Sequence, residues 1–412
     1  MTARVNTDKT LIHELTSRAV AEIYPSKDAL IVALSSGKRL KVYMGIDPTA
    51  PDMHVGHESQ LLKLKRLQDL GHEITLLIGD FTAMIGDPTD KTAARTKLTR
   101  EEVLANSSGY MAQASKILNF SDDANPVKLA YNSEWLGKMD FGDVLELASE
   151  FTVQQMLERQ MFRKRMDDNK PVGLHEFIYP MMQGWDSVCL DTDIEIGGSD
   201  QIFNMLVGTT LVKRHRNRQK FVIAGELLVD PNGKKIGKTE GNMITLNDTP
   251  LDMFHKIMLW GDAITPHALE LCSRMPMNEI RDIEAKLKTN EMDGLEGKML
   301  LADTIVTDLH GKEASIQAKE QYSKLTSRTA PEIERTMLTI HKVTLNDNIV
   351  NILVDSKLAT SKRDACQLLR DNAVRIDGAA INENWTPIKD TAEVVLQVGK
   401  RQLGNHRLLL LS

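Results

Sequence analysis

Apolar positions along the chain change their period several times, and each change marks an element. Leu11, Leu15, Ala19 and Ile23 fall on one face of a helix predicted from about Lys9 to Ile23 and ended by Pro25. Leu40, Val42 and Met44 then alternate as in a short strand, and Pro48, Thr49, Pro51 and Asp52 supply turn chemistry. Leu61, Leu64 and Leu67 return to helical spacing until Gly71, a C-terminal stop. Glu73 to Gly79 is strand-like. Thr99 with Glu102 makes a capping box before a helix to Leu118, and Val127 to Tyr131 is another short strand. This alternation predicts an α/β fold with a doubly wound parallel sheet, whose ligands bind at the carboxyl ends of the strands near the switch point. From Asp252 to Gln321 strand signals fade, and Ala268, Leu271 and Met275 indicate packed helices. Tyr322 to Asn346 reads as a connector to a small final domain.

Composition narrows the class. A chain of 412 residues with 42% hydrophobic content can bury a large core and suggests two or three domains. No apolar run approaches the roughly 18 residues of a membrane span, and MTARVNTDKT lacks the apolar stretch of a secretory signal, so a cytoplasmic protein without a membrane partner is expected. Cys189, Cys272 and Cys366 lack metal-ligand spacing and read as reduced packing residues. With 51 basic and 57 acidic residues the net charge is -6, which argues against charge-driven nucleic-acid binding over the whole surface. Val343 to Ser412 is the relatively basic portion, with nine Lys or Arg against eight Asp or Glu.

Two segments carry chemistry. YMGIDPTAPDMHVGH, Tyr43 to His57, leaves the predicted strand and enters the predicted helix, which puts His54, Gly56 and His57 where unpaired helical amides attract phosphate. Two histidines flanking a glycine could donate hydrogen bonds to a phosphorus-centred transition state. Alone, HVGH equally suits a strand-turn-helix with incidental histidines. KKIGKT, Lys234 to Thr239, follows the turn DPNG, and Lys235 and Lys238 could close over a triphosphate. Alone, such a turn is usually a solvated loop. Their joint presence favours a nucleotide site.

HVGH resembles the HIGH motif, and KIGKT the KMSKS motif, of class I aminoacyl-tRNA synthetases, in the family's order and separation. YMGIDPTAP, IGDPT, NSEW, YPMMQGWDS and IGGSDQ are similar to the tyrosyl-tRNA synthetases in particular. The resemblance implies a tyrosine pocket of Tyr43, Asp87, Tyr179, Gln183, Asp186 and Gln201. In it Tyr43 and Asp186 would bond the substrate phenol, and Asp87, Tyr179 and Gln183 its α-ammonium. A buried phenol and carboxylate left without the substrate hydroxyl would suffer a desolvation penalty, so phenylalanine is rejected. Taken singly, Tyr179 would suit a core aromatic and Asp87 a turn former before Pro88, while Met181, Met182 and Trp185 read as packing.

On the ATP side the resemblance implies Asp47, Thr49, His54, Gly56 and His57, with Gly197 and Asp200 near the ribose. Thr49 and His54 would act at the α- and γ-phosphate region. Lys91 and Arg95, in DKTAART, match a basic loop that folds over pyrophosphate with Lys235, Lys238 and Thr239. Asp90 stands where the family commonly has glycine, and KIGKT has glycine for the central serine. ATP with Mg2+ is the implied substrate complex, with no metal held by the protein. The expected products are tyrosyl-AMP and then tyrosyl-tRNA(Tyr), made by alignment and charge stabilisation without a general base.

The tail, with SKRDACQLLRDNAVRIDGAAIN, resembles an S4-type RNA-binding module. Lys362, Arg363, Arg370 and Arg375, then Lys400, Arg401 and Arg407, could contact structured RNA, though generic helix surfaces also carry such charges. The implied architecture is a Rossmann-like catalytic domain over 1–250 with its motifs at 48–57 and 235–239, a helical domain over 251–325, a linker over 326–344 and an α+β S4-like domain over 345–411, in a homodimer. A tryptophanyl enzyme, a small-molecule nucleotidyltransferase and a non-catalytic RNA-binding paralogue are the rival readings. Tyr43 with Asp186 suits a phenol better than an indole, a nucleotidyltransferase would not need the S4-like tail, and a non-catalytic paralogue would show decayed ATP motifs.

Overall fold

The computed structural model describes residues 4–89, 98–121, 124–229, 243–326, 340–341, 348–356, 358–359, 361–376, 379–385, 394–398 and 407–411. Its central sheet has six strands: β1 (Val20–Tyr24), β2 (Lys41–Ile46), β3 (Glu73–Ile78), β4 (Lys128–Tyr131), β5 (Ile194–Gly198) and β6 (Phe221–Gly225). Their spatial order is β1-β6-β5-β2-β3-β4, with every pair parallel except β1 and β6. The chain runs outward from β2 to β4, then returns to β5 and runs outward the other way. The order therefore reverses between β2 and β5, and a cleft opens there beyond the carboxyl ends of the strands.

Two local expectations need correction. The first helix, α1 (Lys9–Leu15), stops well short of Ile23. Thr16 and Ser17 turn their hydroxyls back onto the carbonyls of Ile12 and His13, and Ala19 adopts a left-handed φ of 49°. Val20–Tyr24, rich in β-prone residues, then pairs as the antiparallel edge β1. The helix begun by the Thr99 and Glu102 capping box divides into α3 (Arg100–Ser107) and α4 (Tyr110–Ala114), because the Ser107 and Ser108 hydroxyls bond back to Leu104 and Ala105 ahead of Gly109. Between β2 and β3, α2 (Val55–Asp69) ends as expected at Gly71, whose φ is +87°.

α5 (Leu174–Cys189) and α6 (Ile202–Arg216) flank β5. A helical layer follows: α7 (Pro250–Met258), α8 (Thr265–Cys272), α9 (Met277–Thr289), α10 (Gly294–His310) and α11 (Lys312–Thr326). α11 carries Tyr322 into contact with Phe254, so helix persists into the stretch expected to be a connector. One apolar core runs unbroken from Ile12 through Leu64, Ile196 and Phe254 to Tyr322. A second core, around Ile352, Leu353, Leu369, Val374 and Leu396, belongs to the carboxy-terminal unit. That unit joins α12 (Ile349–Asp355) and α13 (Lys362–Arg370) to a sheet ordered β7-β11-β10-β8-β9, from β7 (Ile340–His341), β8 (Val374–Ile376), β9 (Ala379–Ala380), β10 (Val394–Val398) and β11 (Arg407–Leu411). The three cysteines are unpaired, and among the described residues no helix is long and apolar enough to cross a membrane.

Candidate functional site

The cleft at the switch point holds a cavity of about 250 Å³. Its lining includes every expected site residue that the structure describes. Tyr43, Asp47 and Thr49 come from β2 and the loop after it, and His54, Gly56 and His57 from the start of α2. Asp87 follows β3; Tyr179, Gln183 and Asp186 lie on α5; Gly197, Asp200 and Gln201 close the end of β5. Lys91, Arg95, Lys235, Lys238 and Thr239 lie outside the described residues, as do Asp90, Lys400 and Arg401.

At one end the cavity meets the amino terminus of α2. His54 is its N-cap: Nδ1 accepts the Gly56 N–H at 3.1 Å, while Nδ1 of His57 accepts the His54 N–H at 3.1 Å. Each neutral ring therefore carries its proton on Nε2, the nitrogen that can donate to an anion. The two rings stack with centroids 3.9 Å apart. A Cβ on Gly56 would stand 2.9 Å from Cε1 of His54, so the room that this glycine opens is filled by the protein's own imidazole. The positive dipole and the imidazole donors make an anion site, while the first-turn amides are taken up within the protein, by the Ile244 carbonyl, His54 Nδ1 and the His54 carbonyl. Thr245 forms a β-bridge with His54, and Val55 N–H donates to the Ile244 carbonyl at 3.1 Å. Leu228, on the near side of residues 230–242, lines the cavity too, so both flanks of the KIGKT segment adjoin it.

At the other end Tyr43, Tyr179 and Asp186 are buried, and the half-buried Asp47, Asp87, Gln183 and Gln201 are tightly bonded around them. Tyr179, Gln183 and Asp186 share one face of α5 at i, i+4, i+7 spacing. The Tyr179 hydroxyl donates to Asp47 Oδ2 at 2.7 Å, and Thr82 Oγ1 donates to Asp47 Oδ1 at 2.7 Å. A Cβ on Gly79 would fall 2.0 Å from that same Oδ1, so only glycine leaves space for the Asp47 carboxylate. Asp87 accepts from the Thr89 amide at 2.9 Å and from Gln201 Nε2 at 2.7 Å, with the Arg159 guanidinium 3.5 Å away. Asp186 accepts Trp135 Nε1 at 2.7 Å and Asn132 Nδ2 at 3.3 Å. Burial pushes the Asp186 carboxyl well above the usual range for aspartate. Burial, and next the nearby Glu195, raises the Tyr43 phenol; burial, and next Asp47, raises that of Tyr179. Both phenols stay protonated at neutral pH.

Several of these partners carry no sequence signal strong enough to mark them. Asn132 and Trp135 sit inside the NSEW string, yet a string does not say that its indole and amide hold Asp186. Ser187 ends YPMMQGWDS without any role read for it, and Arg159, Glu195 and Lys220 lie in none of the strings, so only the fold brings them to the site. Among the described residues no group of three or more His, Cys, Asp or Glu is placed to hold a metal ion.

The family described as class I tRNA synthetases (W and Y) matches residues 35–327. The chain is 39% identical over 397 residues to the tyrosine–tRNA ligase of Carboxydothermus hydrogenoformans, covering 94% of this chain and 96% of the relative. It is 39% identical over 403 residues to that of Haemophilus influenzae, covering 97% of each. Among solved structures, a C-terminally truncated mitochondrial tyrosyl-tRNA synthetase of Aspergillus nidulans superposes with a TM-score of 0.66 at 23% identity, over 77% of this chain and 94% of that one. The L-tyrosine complex of the Archaeoglobus fulgidus tyrosyl-tRNA synthetase gives 0.59 at 20%, over 76% and 100%. At those identities the structural likeness is one of fold.

Proposed function

The chain belongs to the tyrosine–tRNA ligases within the class I tRNA synthetases, and we propose that its cavity is where L-tyrosine and ATP are joined. It is an aminoacyl-tRNA ligase: tyrosine is activated to tyrosyl-AMP with release of pyrophosphate, then passed to the 3′ end of tRNA(Tyr). In the first step the tyrosine carboxylate attacks the α-phosphorus of ATP, supplied as its magnesium complex, and pyrophosphate leaves. The carboxylate is already a nucleophile, so the protein contributes alignment and charge stabilisation. Tyr43 and Asp186 take the phenol of the substrate, and Asp87, Tyr179 and Gln183 its α-ammonium. His54, His57 and Thr49 lie along the triphosphate; Asp47, Gly56, Gly197 and Asp200 take the rest of the nucleotide. Lys91, Arg95, Lys235, Lys238 and Thr239 offset charge on the departing pyrophosphate. The observation that carries this reading is that an anion site built on a helix N-terminus and a buried polar pocket open into one cavity.

We divide the chain into a catalytic domain (residues 1–250), a helical domain (residues 251–325), a linker (residues 326–344) and an S4-like RNA-binding domain (residues 345–411). The separate carboxy-terminal core supports the last unit. Ala365 and Leu369 of α13 face that core, while Lys362 and Arg363 are exposed. Arg370 is already paired with Glu383 at 3.3 Å, which makes Lys362 and Arg363 the better candidates for RNA phosphates. A homodimer is supported by Phe141, Leu145, Val153, Met166 and Leu174, large apolar side chains exposed within one stretch of chain. We assign the protein to the cytoplasm, the compartment of translation, on its likeness to bacterial ligases.

Pyrophosphate exchange across a panel of amino acids tests the assignment. Exchange should depend on tyrosine and fall by about a hundredfold or more in Lys238→Ala, as when one donor to a charged transition state is removed. Equal exchange with tryptophan would overturn it.

A further inference from the structure

Behind the pocket lies a buried ion pair that belongs to none of the roles assigned above. Lys220, one residue before β6, is 0% exposed, and Glu195 of β5 is 2% exposed. The Lys220 ammonium donates to the Glu195 carboxylate, to Ser187 Oγ at 2.9 Å and to the Met205 carbonyl at 3.0 Å. An ammonium has three N–H groups, so all are engaged. Two of these acceptors continue into the pocket. Ser187 Oγ lies 2.9 Å from the Tyr43 hydroxyl, and Glu195 Oε1 accepts the side-chain amide of Gln183 at 3.0 Å. One cation thus stands a single side chain away from Tyr43, at the phenol end, and from Gln183, at the ammonium end.

The fold makes room for this cation at the expense of a helix. Gly208 lies inside α6, and a Cβ there would fall 2.5 Å from Lys220 Nζ and 2.8 Å from Ser187 Oγ. Stability gives little reason for such an arrangement, because well-packed apolar residues usually serve a core as well as a buried ion pair does. Direction gives a reason. Lysine can only donate, so Ser187 Oγ accepts from it; with the serine proton on Glu195 Oε2 at 3.2 Å, the remaining serine lone pair, 2.9 Å from Tyr43, is a nearer acceptor for the Tyr43 proton than the Gln183 carbonyl at 3.4 Å. The Tyr43 oxygen is left facing the cavity with its lone pairs. A substrate phenol can donate to it and a phenyl ring cannot.

We infer that Lys220 is a positioning residue for tyrosine selection: it sets the Tyr43 hydroxyl through Ser187 and the Gln183 amide through Glu195. This rests on the reading of the cavity as the tyrosine site. The test uses the full chain and measures tyrosine KM, ATP KM, melting temperature and the ratio of kcat/KM for tyrosine over phenylalanine in pyrophosphate exchange. Two variants are compared with the unaltered protein: Ser187→Ala, which leaves the ion pair intact, and Lys220→Met with Glu195→Leu, which replaces both charges by apolar volume. In each, tyrosine KM should rise and the tyrosine-over-phenylalanine ratio should fall by about tenfold, the worth of one buried hydrogen bond, with ATP KM nearly unchanged; Ser187→Ala, which strands a buried Lys220 N–H, should also lower the melting temperature by a few degrees. Ratios within twofold of the unaltered protein in both variants would overturn the inference. So would tyrosine and ATP KM rising together with a fall in melting temperature, the mark of a structural role. Should the double variant fail to fold, Lys220→Gln with Glu195→Gln, which removes both charges and keeps the volume, takes its place and is held to the same outcomes. Absence of tyrosine preference in the unaltered protein would instead overturn the cavity assignment itself.

Discussion

The imidazole of His54 closes the first turn of α2 with one nitrogen and can present the other to an anion, so helix stability and the proposed catalytic role are coupled in one side chain. His54→Asp separates them. Aspartate is among the best N-caps and its charge suits the positive end of a helix, so the melting temperature should hold. A donor is replaced by a negative charge beside the proposed triphosphate site, so pyrophosphate exchange should fall by about a hundredfold to a thousandfold. Calorimetry beside exchange kinetics checks both halves, and a melting drop with unchanged exchange would refute the assignment. Residues of this kind are legible in the sequence because turn chemistry and helix start fall in one short string. Asp186 is marked only by the likeness of YPMMQGWDS, and its place on the Tyr179 face of a helix comes from the fold. Its holders are not legible: Trp135 and Asn132 are about fifty residues away in the chain, and nothing local distinguishes an indole that bonds a carboxylate from one that only packs. Lys220 and Glu195 are harder still, since a charged residue beside a strand reads as a solvent-facing one until the fold buries it.

α2 shows what the periodicity of an element does and does not reveal. Leu61, Leu64 and Leu67 mark one buried face, yet Glu58, Gln60, Lys63 and Gln68 are buried as well, because the helix is packed between the sheet on one side and α8 on the other. Periodicity alone would give those polar positions to water. Lys63 donates to the Arg18 carbonyl at 2.7 Å, and burial pulls its ammonium down to about 7. In the unfolded chain a lysine holds its proton to about pH 10.4. Between those values the unfolded state binds more protons, so the Lys63 contribution to stability rises with pH from about 7 to about 10. The unaltered protein should therefore gain on Lys63→Met by up to about 1.4 kcal/mol per pH unit over that window. Urea unfolding of both proteins at pH 7, 8.5 and 10 measures the difference; parallel pH profiles would show that burial does not displace the Lys63 titration. The edge strand β1 illustrates the opposite error, since its Ile23 happens to fall in phase with α1, and the hydroxyl back-bonds of Thr16 and Ser17 that end the helix are a local competition which hydrophobic spacing does not report.

At the scale of the whole molecule, the sheet and the helical layer share one core, and Arg18 is the clearest polar tie between them. Its side chain, 1% exposed, donates through Nε to the Glu270 carbonyl at 3.0 Å, through Nη1 to Met275 at 2.7 Å and through Nη2 to Ser273 at 2.7 Å. These carbonyls lie at or beyond the end of α8, where the helix leaves acceptors unpaired and its dipole is negative. The residue after it, Ala19, donates its amide to the Glu270 carboxylate at 2.8 Å, so the chain entering β1 is stitched to the helical layer twice. Arg18→Met keeps much of the volume but strands several buried carbonyls, and should destabilise the protein by about 2–4 kcal/mol. Because the core is continuous, that loss should fall on both layers. Variants that keep only Trp135, bonded to Asp186, or only Trp260, in the helical layer, report on each through fluorescence during chemical unfolding. The two probes should share one midpoint and move together when Arg18→Met is added. A midpoint that drops for Trp260 while that for Trp135 stays in place would mean that the helical layer unfolds by itself, and that the common core does not bind the two into one cooperative unit.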